Sequence, residues 1–504
     1  MTAVASAPAP EVNRRSVARS AMWSVVENGG LALISFSSLI IYSRFLSVSD
    51  FGLFSIALAV VELMTMLVGM LFHDALVQRP DVTELHYDTA FTATLGLSAA
   101  LVALCFVIAP FFAQRAGNPM AAPVLMWISL CLPLTALGAT IVARQRRNLA
   151  FRTLALRSLV GRSVGAAVGI VLVVSGAAFW GLVAQQVLIV LFGSLVLWVT
   201  CRERPKLRFG VQEFRQLIGF GSVAVASLFV NFSMKRSFIV LCGIMLGTNA
   251  AGLLNMCFRV IDTFWSLASS AISQIALPTL SSLTKDDKRF GRAFHTASAF
   301  ICVVLYFCFV LIGATSAEVV ELLFGRQWLA ITPYVTILSL QVLIQARRMV
   351  FNPVMTSRGR PRDLLVCQIA ELSFTLVAIA VSGVPSVSWA IGIWVARECL
   401  GVSIQVWLLR RAINIGIREV FSGSVVPLLC AIAMYGAVWA ARDALPAGWL
   451  PAARLAVLAP LGAGVYFGCV FLLERRLLVD LLGFVRSALQ RKKGAGTGLE
   501  DNKS

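Results

Sequence analysis

Charged side chains inside long apolar stretches are the residues best placed to do chemistry in this sequence. A charge at the centre of a bilayer costs about 3 kcal/mol even on the scale from insertion experiments, so each such residue is a candidate for lining a polar cavity. The basic candidates are Lys235, Arg236, Arg259, Arg397 and Arg162. The acidic candidates are Glu27, Glu62, Asp262, Glu371 and Glu398. We expect binding and ion-coupling positions among these residues.

Structural roles are the alternative for several of these charges. Lys235 and Arg236 could extend to the membrane surface from the end of a shorter helix. Arg259 could pair with the aspartate three positions later, on the same helix face. Glu27 precedes an Asn-Gly-Gly sequence that would allow local unwinding, so it could titrate as a coupling site or lie as a satisfied carboxylate near the cytoplasmic interface.

The sequence predicts no metal, cofactor or catalytic site. Its 11 cysteines lie mostly in apolar runs without a C-x-x-C pair, and it contains only 3 histidines. It has no G-x-x-x-x-G-K-[ST] motif for binding ATP. The acidic pair Asp286-Asp287 lies in a charged KDDKR run that is typical of a solvated loop.

The composition sets the class of protein that must position these charges. Of 504 residues, 59% are hydrophobic and 13% charged, and the mean hydropathy is +0.85. A water-soluble protein is excluded, because soluble domains average about 25% charged residues. Fourteen apolar runs are long enough to span a bilayer, near 21–43, 53–72, 89–112, 123–143, 158–176, 178–199, 216–245, 250–280, 293–313, 329–346, 363–383, 387–409, 421–441 and 453–473. We therefore predict an all-α integral membrane protein with about 14 transmembrane helices.

The distribution of basic residues predicts the orientation. When alternate loops are assigned to opposite sides, most of the 43 lysines and arginines fall on the side that also holds both termini. Because positive residues stay in the cytoplasm, both termini are predicted to be cytoplasmic. The formal charge of +19 is then largely a topology signal, and no nucleic-acid partner is expected.

An internal repeat divides the chain. Residues 46–62, LSVSDFGLFSIALAVVE, align without gaps with residues 246–262, LGTNAAGLLNMCFRVID, and Glu62 then faces Asp262. The pairs Leu46/Leu246, Gly52/Gly252, Leu53/Leu253 and Val60/Val260 are identical. This favours two parallel six-helix lobes around a central cavity. The predicted parts are a cytoplasmic segment 1–20, an N-lobe 21–199, a linking loop 200–215, a C-lobe 216–409, two extra helices 421–473 and a basic cytoplasmic tail 474–504.

Several blocks resemble those of the polysaccharide transporter family, within the multidrug/oligosaccharidyl-lipid/polysaccharide exporter superfamily. They are SRFLSVSDFGLFSIA (43–57), its counterpart at 246–262, ALPTLSSLTKDDKRF (276–290) and ELLFGRQW (321–328). The resemblance implies fourteen helices, two lobes around a cavity, and translocation of undecaprenyl-diphosphate-linked oligosaccharide repeat units across the bacterial inner membrane. The product would be an exopolysaccharide, a capsule or a lipopolysaccharide. The chain departs from the family pattern at Met234-Lys235-Arg236, where the family has an acidic residue in the seventh helix.

The resemblance also implies roles and partners. Substrate binding is expected at Lys235, Arg236, Arg259, Asp262 and Arg397, because guanidinium groups suit diphosphate oxygens. Ion coupling is expected at Glu27, Glu62, Glu371 and Glu398. A polysaccharide polymerase and a chain-length regulator are candidate membrane partners.

Other functions remain as alternatives at this point. They are a multidrug or cation antiporter, which usually has twelve helices and a more acidic cavity, and a lipid II flippase. A membrane polymerase or O-acyltransferase is disfavoured, because the sequence has neither a large outer loop nor an embedded histidine. No enzymatic activity is expected.

Overall fold

The computed structural model describes residues 14–475, with gaps at 220–221, 282–286, 347, 350, 352–354, 356–359, 414–416 and 447. Most of the predicted segment 1–20, nearly all of the tail 474–504 and part of the KDDKR run lie outside the described residues. The chain forms two compact units, residues 1–225 and 226–504. Within the described residues, the regular secondary structure is helical in both units.

Among the described residues, nine helices lie in the first unit, and a tenth begins there and lies mostly in the second unit. They are α1 (Arg14–Phe45), α2 (Val48–Met70), α3 (His73–Gln78), α4 (Glu84–Ala116), α5 (Ala121–Ser129), α6 (Cys131–Arg147), α7 (Phe151–Leu172), α8 (Trp180–Thr200), α9 (Val211–Ile218) and α10 (Ser222–Leu246). The second unit continues with α11 (Thr248–Ser281), α12 (Asp287–Ala314), α13 (Ser316–Phe324), α14 (Thr332–Gln345), α15 (Pro361–Ser382), α16 (Val387–Ile413), α17 (Ile417–Ala444) and α18 (Pro451–Leu473).

Most of the predicted spans lie on helices that can cross a membrane. Eleven helical segments of the described residues are long and apolar enough, and a twelfth is obtained if the pair Ser298–Ala314 and Ser316–Phe324, bent by 74°, is one span. The protein is therefore an all-α, multi-pass membrane protein. The first and eighth predicted spans, 21–43 and 250–280, lie on α1 and α11, which are not among these segments. The count of fourteen stays a prediction.

Two helices depart from the predicted boundaries. The predicted span 216–245 covers two elements, because α9 ends at Ile218 and the membrane-length segment begins at Ala226. The predicted span 293–313 lies on a helix that begins at Asp287 and breaks after Ala314. In contrast, the short connection predicted between the fifth and sixth spans is present as a turn at Val173–Ala177, with Gly176 at φ +92°. Glycine adopts this conformation without a steric penalty.

The two copies of the internal repeat have the same helical register. Helix α2 begins at Val48 and α11 at Thr248, so the aligned segments enter their helices at equivalent positions. Ser47 caps α2 by accepting a hydrogen bond from the amide of Asp50 at 3.1 Å. The residue equivalent to Ser47 is Gly247, which has φ +87°. The local turn therefore differs while the helix start is retained.

A stripe of glycines packs α7 closely against α8. Gly161, Gly165 and Gly169 lie four residues apart and face the neighbouring helix. A Cβ atom on Gly161 would lie 2.5 Å from the carbonyl oxygen of Ile189, and one on Gly165 would lie 2.8 Å from that of Gln185. Side chains larger than hydrogen at these positions would force the two backbones apart.

The two C-terminal helices, α17 and α18, are part of the second unit. The hydroxyl of Tyr466 on α18 donates a hydrogen bond to the carbonyl of Val303 on α12 at 2.9 Å. Buried Glu318 on α13 forms an ion pair with Arg442 at 3.0 Å and lies 3.8 Å from Arg454. These contacts fix α13 against the ends of α17 and α18.

Candidate functional site

The second unit contains a polar cavity of about 520 Å³. Among the described residues, four cationic side chains and two carboxylates line it: Lys235, Arg236, Arg348 and Arg397, and Asp262 and Glu398. Its other lining residues are apolar, aromatic or amide-bearing, and include Asn231, Gln341, Gln345, Phe258, Trp265 and Trp394. Charged groups within membrane-spanning helices need partners or water, so their placement around one cavity makes it the candidate functional site.

One wall of the cavity is formed by α10 and α11. The ammonium group of Lys235 forms an ion pair with Asp262 on the neighbouring helix, and it lies 4.6 Å from the centre of the Phe258 ring. Arg236 lies over the ring of Phe232 at 5.3 Å. The Asp262 side chain is 60% exposed, and that of Lys235 is 23% exposed. This ion pair therefore faces the space that a ligand would occupy.

A buried ion cluster forms another part of the charged lining. Arg348 contacts Glu371 at 2.5 Å and Glu398 at 2.6 Å. Arg397 contacts Glu398 at 2.5 Å and approaches Glu371 at 3.7 Å, and its guanidinium lies over the Trp394 ring at 3.9 Å. The two carboxylates are at most 1% exposed. Buried charges persist only when they are paired in this way.

The charge of the cavity is therefore unevenly distributed. Within the cluster, Arg348 and Arg397 are balanced by Glu371 and Glu398. On the α10–α11 wall, the described lining residues include two cations, Lys235 and Arg236, and the carboxylate of Asp262, which pairs with Lys235. Lys235 and Arg236 are thus the cations of the described lining that lie outside the buried cluster.

The structure brings together only some of the predicted site residues. Lys235, Arg236, Asp262, Arg397 and Glu398 line the cavity, and Glu371 contacts its lining from behind. The remaining predicted residues, Arg259, Glu27 and Glu62, are not among the residues that line it.

These three residues have other surroundings. Arg259 is half-buried on α11, where its carbonyl accepts a hydrogen bond from the Thr263 hydroxyl at 2.7 Å. Glu27 and Glu62 belong to the first unit. Glu27 interacts electrostatically with Arg157, and Glu62 does so with Arg162.

Sequence reasoning missed Arg348. It was not among the candidate residues, yet in the structure Arg348 connects Glu371 with Glu398 inside the buried cluster. Its position directly after the predicted span 329–346 was the available signal. The cavity amides, such as Gln341 and Gln345, were also missed, because amides are common in helices of all kinds. Among the described residues, no group of three His, Cys, Asp or Glu side chains could hold a metal ion.

Comparison with known families decides the membership of the chain. The profile described as polysaccharide biosynthesis protein matches residues 41–333, more than half of the sequence. The chain belongs to this polysaccharide biosynthesis family. The resemblance stated from the sequence blocks is confirmed.

Three relatives match most of the chain. The succinoglycan biosynthesis transport protein ExoT of Rhizobium meliloti is 27% identical over 495 residues, which cover 97% of this chain and 99% of that protein. The lipopolysaccharide biosynthesis protein WzxC of Escherichia coli is 21% identical over 68% of this chain and 69% of its own length. The teichuronic acid biosynthesis protein TuaB of Bacillus subtilis is 21% identical over 72% of this chain and 76% of its own.

Solved structures support the fold of this family member. The lipid II flippase MurJ in an inward closed conformation matches with a TM-score of 0.69, at 11% identity, over 92% of this chain and all of that one. An inward-facing multidrug resistance MATE transporter matches with a TM-score of 0.54, at 14% identity, over 79% of this chain and 98% of that one. At these identities the likeness concerns the fold alone.

Proposed function

We propose that this protein translocates lipid-linked oligosaccharide repeat units across the bacterial inner membrane for the synthesis of a surface polysaccharide. The carrier would be a polyprenyl diphosphate such as undecaprenyl diphosphate. Family membership and the names of the relatives, which describe polysaccharide biosynthesis and transport, support this assignment. Both termini would be cytoplasmic, and the protein would act as a transporter and not as an enzyme.

The excess of cationic over anionic side chains in the described lining, four against two, is the observation that carries the proposal. A diphosphate is an anion whose oxygens accept charge-assisted hydrogen bonds from ammonium and guanidinium groups. Lys235 and Arg236 offer both kinds of donor on one wall. Asp262 pairs with Lys235, so an arriving diphosphate would compete with this carboxylate for the ammonium group. Arg397, held by the buried cluster, would contribute to the field without leaving its partners.

The uncharged lining suits the sugar part of the substrate. Side-chain amides provide both donors and acceptors for hydroxyl groups, and Gln341, Gln345 and Asn231 place three of them in the cavity. Trp265 and Phe258 add flat apolar surfaces against which a sugar ring can pack. We assign the diphosphate to the α10–α11 wall and the first sugars to the amide and aromatic surfaces.

The buried carboxylates are the candidates for energy coupling. Protonation of Glu371 or Glu398 would remove one negative charge from a balanced cluster and leave an arginine available to an anionic ligand. Glu27 and Glu62 in the first unit are further candidates, each with an arginine nearby. A polysaccharide polymerase and a chain-length regulator are the proposed membrane partners.

The cavity charge separates the alternative functions. A cation antiporter is disfavoured, because cations outnumber carboxylates among the described residues that line the cavity. A lipid II flippase would need the same diphosphate chemistry, so the cavity alone does not distinguish it from the proposed function. The names of the full-length relatives favour the polysaccharide substrate.

A deletion strain tests the proposal. Surface polysaccharide is measured together with lipid-linked repeat units extracted from the membrane, and their accessibility from the cytoplasmic face is determined. We expect lost polymer and repeat units retained on the cytoplasmic face, with rescue by the wild-type chain and by Lys235→Arg but not by Lys235→Glu. Arg259→Gln, which changes a charged residue outside the cavity lining, is the variant with which these two are compared. Normal polymer in a strain with no second flippase would overturn the proposal, and arrested cell-wall precursor export would support the lipid II alternative.

A further inference from the structure

The segment that connects α8 to α10 has an unusual surface. We call residues 201–218 the basic linker. It exposes five cations, Arg202, Arg204, Lys206, Arg208 and Arg215. Large apolar side chains alternate with them: Leu207 is 70% exposed, Phe209 52% and Val211 60%. Its two acidic residues are Glu203 and Glu213, and Glu203 already forms an ion pair with Arg144 at 2.8 Å.

The basic linker is held in place by the first unit. Its backbone bonds to side chains of α4, because the amide of Lys206 donates to Asp88 at 2.8 Å and the amide of Gly210 donates to Thr89 at 3.0 Å. The Thr92 hydroxyl donates to the carbonyl of Arg208 at 3.0 Å. Since these bonds use the backbone of the linker, the side chains of Lys206 and Arg208 are left on the exposed surface.

Apolar packing fixes the second part of the basic linker. Leu217 on α9 is buried in a cluster with Phe72, Leu76 and Tyr87, and Phe214 packs edge-on against Phe72 with ring centres 5.9 Å apart. The exposed apolar residues of the linker therefore lie on an ordered surface, and they are not a flexible tether between two helices.

The depth of the basic linker follows from the length of α4. This helix has 33 residues, so it is about 50 Å long, against about 30 Å of hydrocarbon in a bilayer. A centred helix extends about 10 Å beyond the hydrocarbon at each end. Thr89 and Thr92 lie about 8 and 12 Å along the axis from Glu84. With α4 centred and along the bilayer normal, the linker residues bonded to them would lie at the boundary between hydrocarbon and headgroups.

We propose that the basic linker is a binding surface for anionic phospholipids of the adjacent membrane leaflet. Leu207, Phe209 and Val211 would enter the boundary between headgroups and acyl chains, and the neighbouring cations would contact lipid phosphates. A cytoplasmic protein is a less suitable occupant, because a surface at headgroup depth is covered by lipid. This inference goes beyond the proposed function, since it concerns the bulk lipid and not the transported substrate.

Hydrogen exchange of the full-length protein in nanodiscs tests this inference locally. Exchange of backbone amides in residues 202–211 is compared in phosphatidylcholine nanodiscs with and without phosphatidylglycerol. The variant is Arg202→Gln with Arg208→Gln. The matched control is Arg410→Gln with Arg411→Gln, which removes two exposed cations at the end of another helix. Each cation near a charged leaflet changes lipid affinity about fivefold.

The expected result is slower exchange of the segment in the phosphatidylglycerol nanodiscs. This protection is lost in the linker variant and kept in the control, while both melt at the wild-type temperature. Equal exchange in the two lipids would overturn the inference. Protection by inorganic phosphate in phosphatidylcholine nanodiscs would also overturn it, because it would indicate a phosphate-ion site. None of these outcomes depends on the transported substrate, so the inference and the proposed function can fail separately.

Discussion

Breaking the buried ion cluster one charge at a time is the most informative perturbation of the second unit. Glu371 is fully buried and contacts Arg348 at 2.5 Å, with Arg397 at 3.7 Å. Glu371→Gln keeps the side-chain shape but leaves the cluster with an uncompensated positive charge. Removing one partner of a buried pair costs about 3 to 5 kcal/mol. The variant Arg348→Gln leaves the opposite charge unpaired, and we expect a similar cost.

The double variant separates the ion pair from the local packing. Glu371→Gln with Arg348→Gln restores charge balance, so we expect it to cost much less than the sum of the two single variants. The difference between that sum and the cost of the double variant is the coupling free energy, which we expect to be about 2 kcal/mol or more. The exposed pair of Arg326 and Glu321 is the matched control. Its atoms are 2.9 Å apart, but the Arg326 side chain is 88% exposed, and such pairs couple by about 1 kcal/mol or less.

Melting temperatures of the purified variants in detergent, taken at one scan rate, provide the assay. We expect the melting temperature to be highest for the wild type, lower for the double variant and lowest for the two single variants. For the exposed pair, we expect the shifts in melting temperature of the single variants to add up nearly to that of the double variant. Additive shifts at Glu371 and Arg348 would refute the charge-balance argument. A coupling as large at the exposed pair would refute the role assigned to burial.

Three further predictions concern packing, binding and the C-terminal helices. Gly165→Val should destabilise the first unit by about 1 to 3 kcal/mol through overpacking against α8. The control is Gly96→Val, which has no atom within 4 Å of its Cβ position and should melt near the wild-type temperature. Equal shifts in melting temperature for the two variants would contradict the close packing. Lys235→Glu places a negative charge beside Asp262 and should abolish polymer export, while Lys235→Arg should retain most of the export. Equal export by both variants would remove Lys235 from the site. Glu318→Gln leaves Arg442 without its buried partner and should lower the melting temperature, and an unchanged temperature would show that this ion pair does not hold α13.

Much of the fold follows from the hydrophobic pattern alone. Long apolar runs predict helices because a bilayer leaves no backbone group unpaired, and the short turn at Gly176 could be read from its sequence. The break between α9 and α10 was missed, because a short amphipathic helix next to a span extends the apolar run. The glycine stripe of α7 follows a recognisable four-residue spacing and could have been found.

The candidate site was only partly predictable. Charges such as Lys235 and Glu371 stand out in apolar runs, and an intramembrane charge implies a partner or a cavity. The identity of that partner depends on tertiary structure. Arg348 has a loop-like sequence context, yet it connects two buried carboxylates on other helices. Arg259 is an intramembrane charge by sequence but is not among the cavity-lining residues, because helix rotation decides which face a residue occupies.

Flipping by the purified protein tests the central claim most directly. Proteoliposomes containing the full-length chain and a fluorescent lipid-linked oligosaccharide are treated with a membrane-impermeant quencher, and the exchange of the lipid between leaflets is followed over time. We predict that the wild-type chain accelerates exchange far above protein-free liposomes, and that the Lys235→Glu, Arg236→Glu variant does not, although it melts at a similar temperature. Exchange at the protein-free rate with the wild-type chain, or equal rates for wild type and variant, would contradict the account.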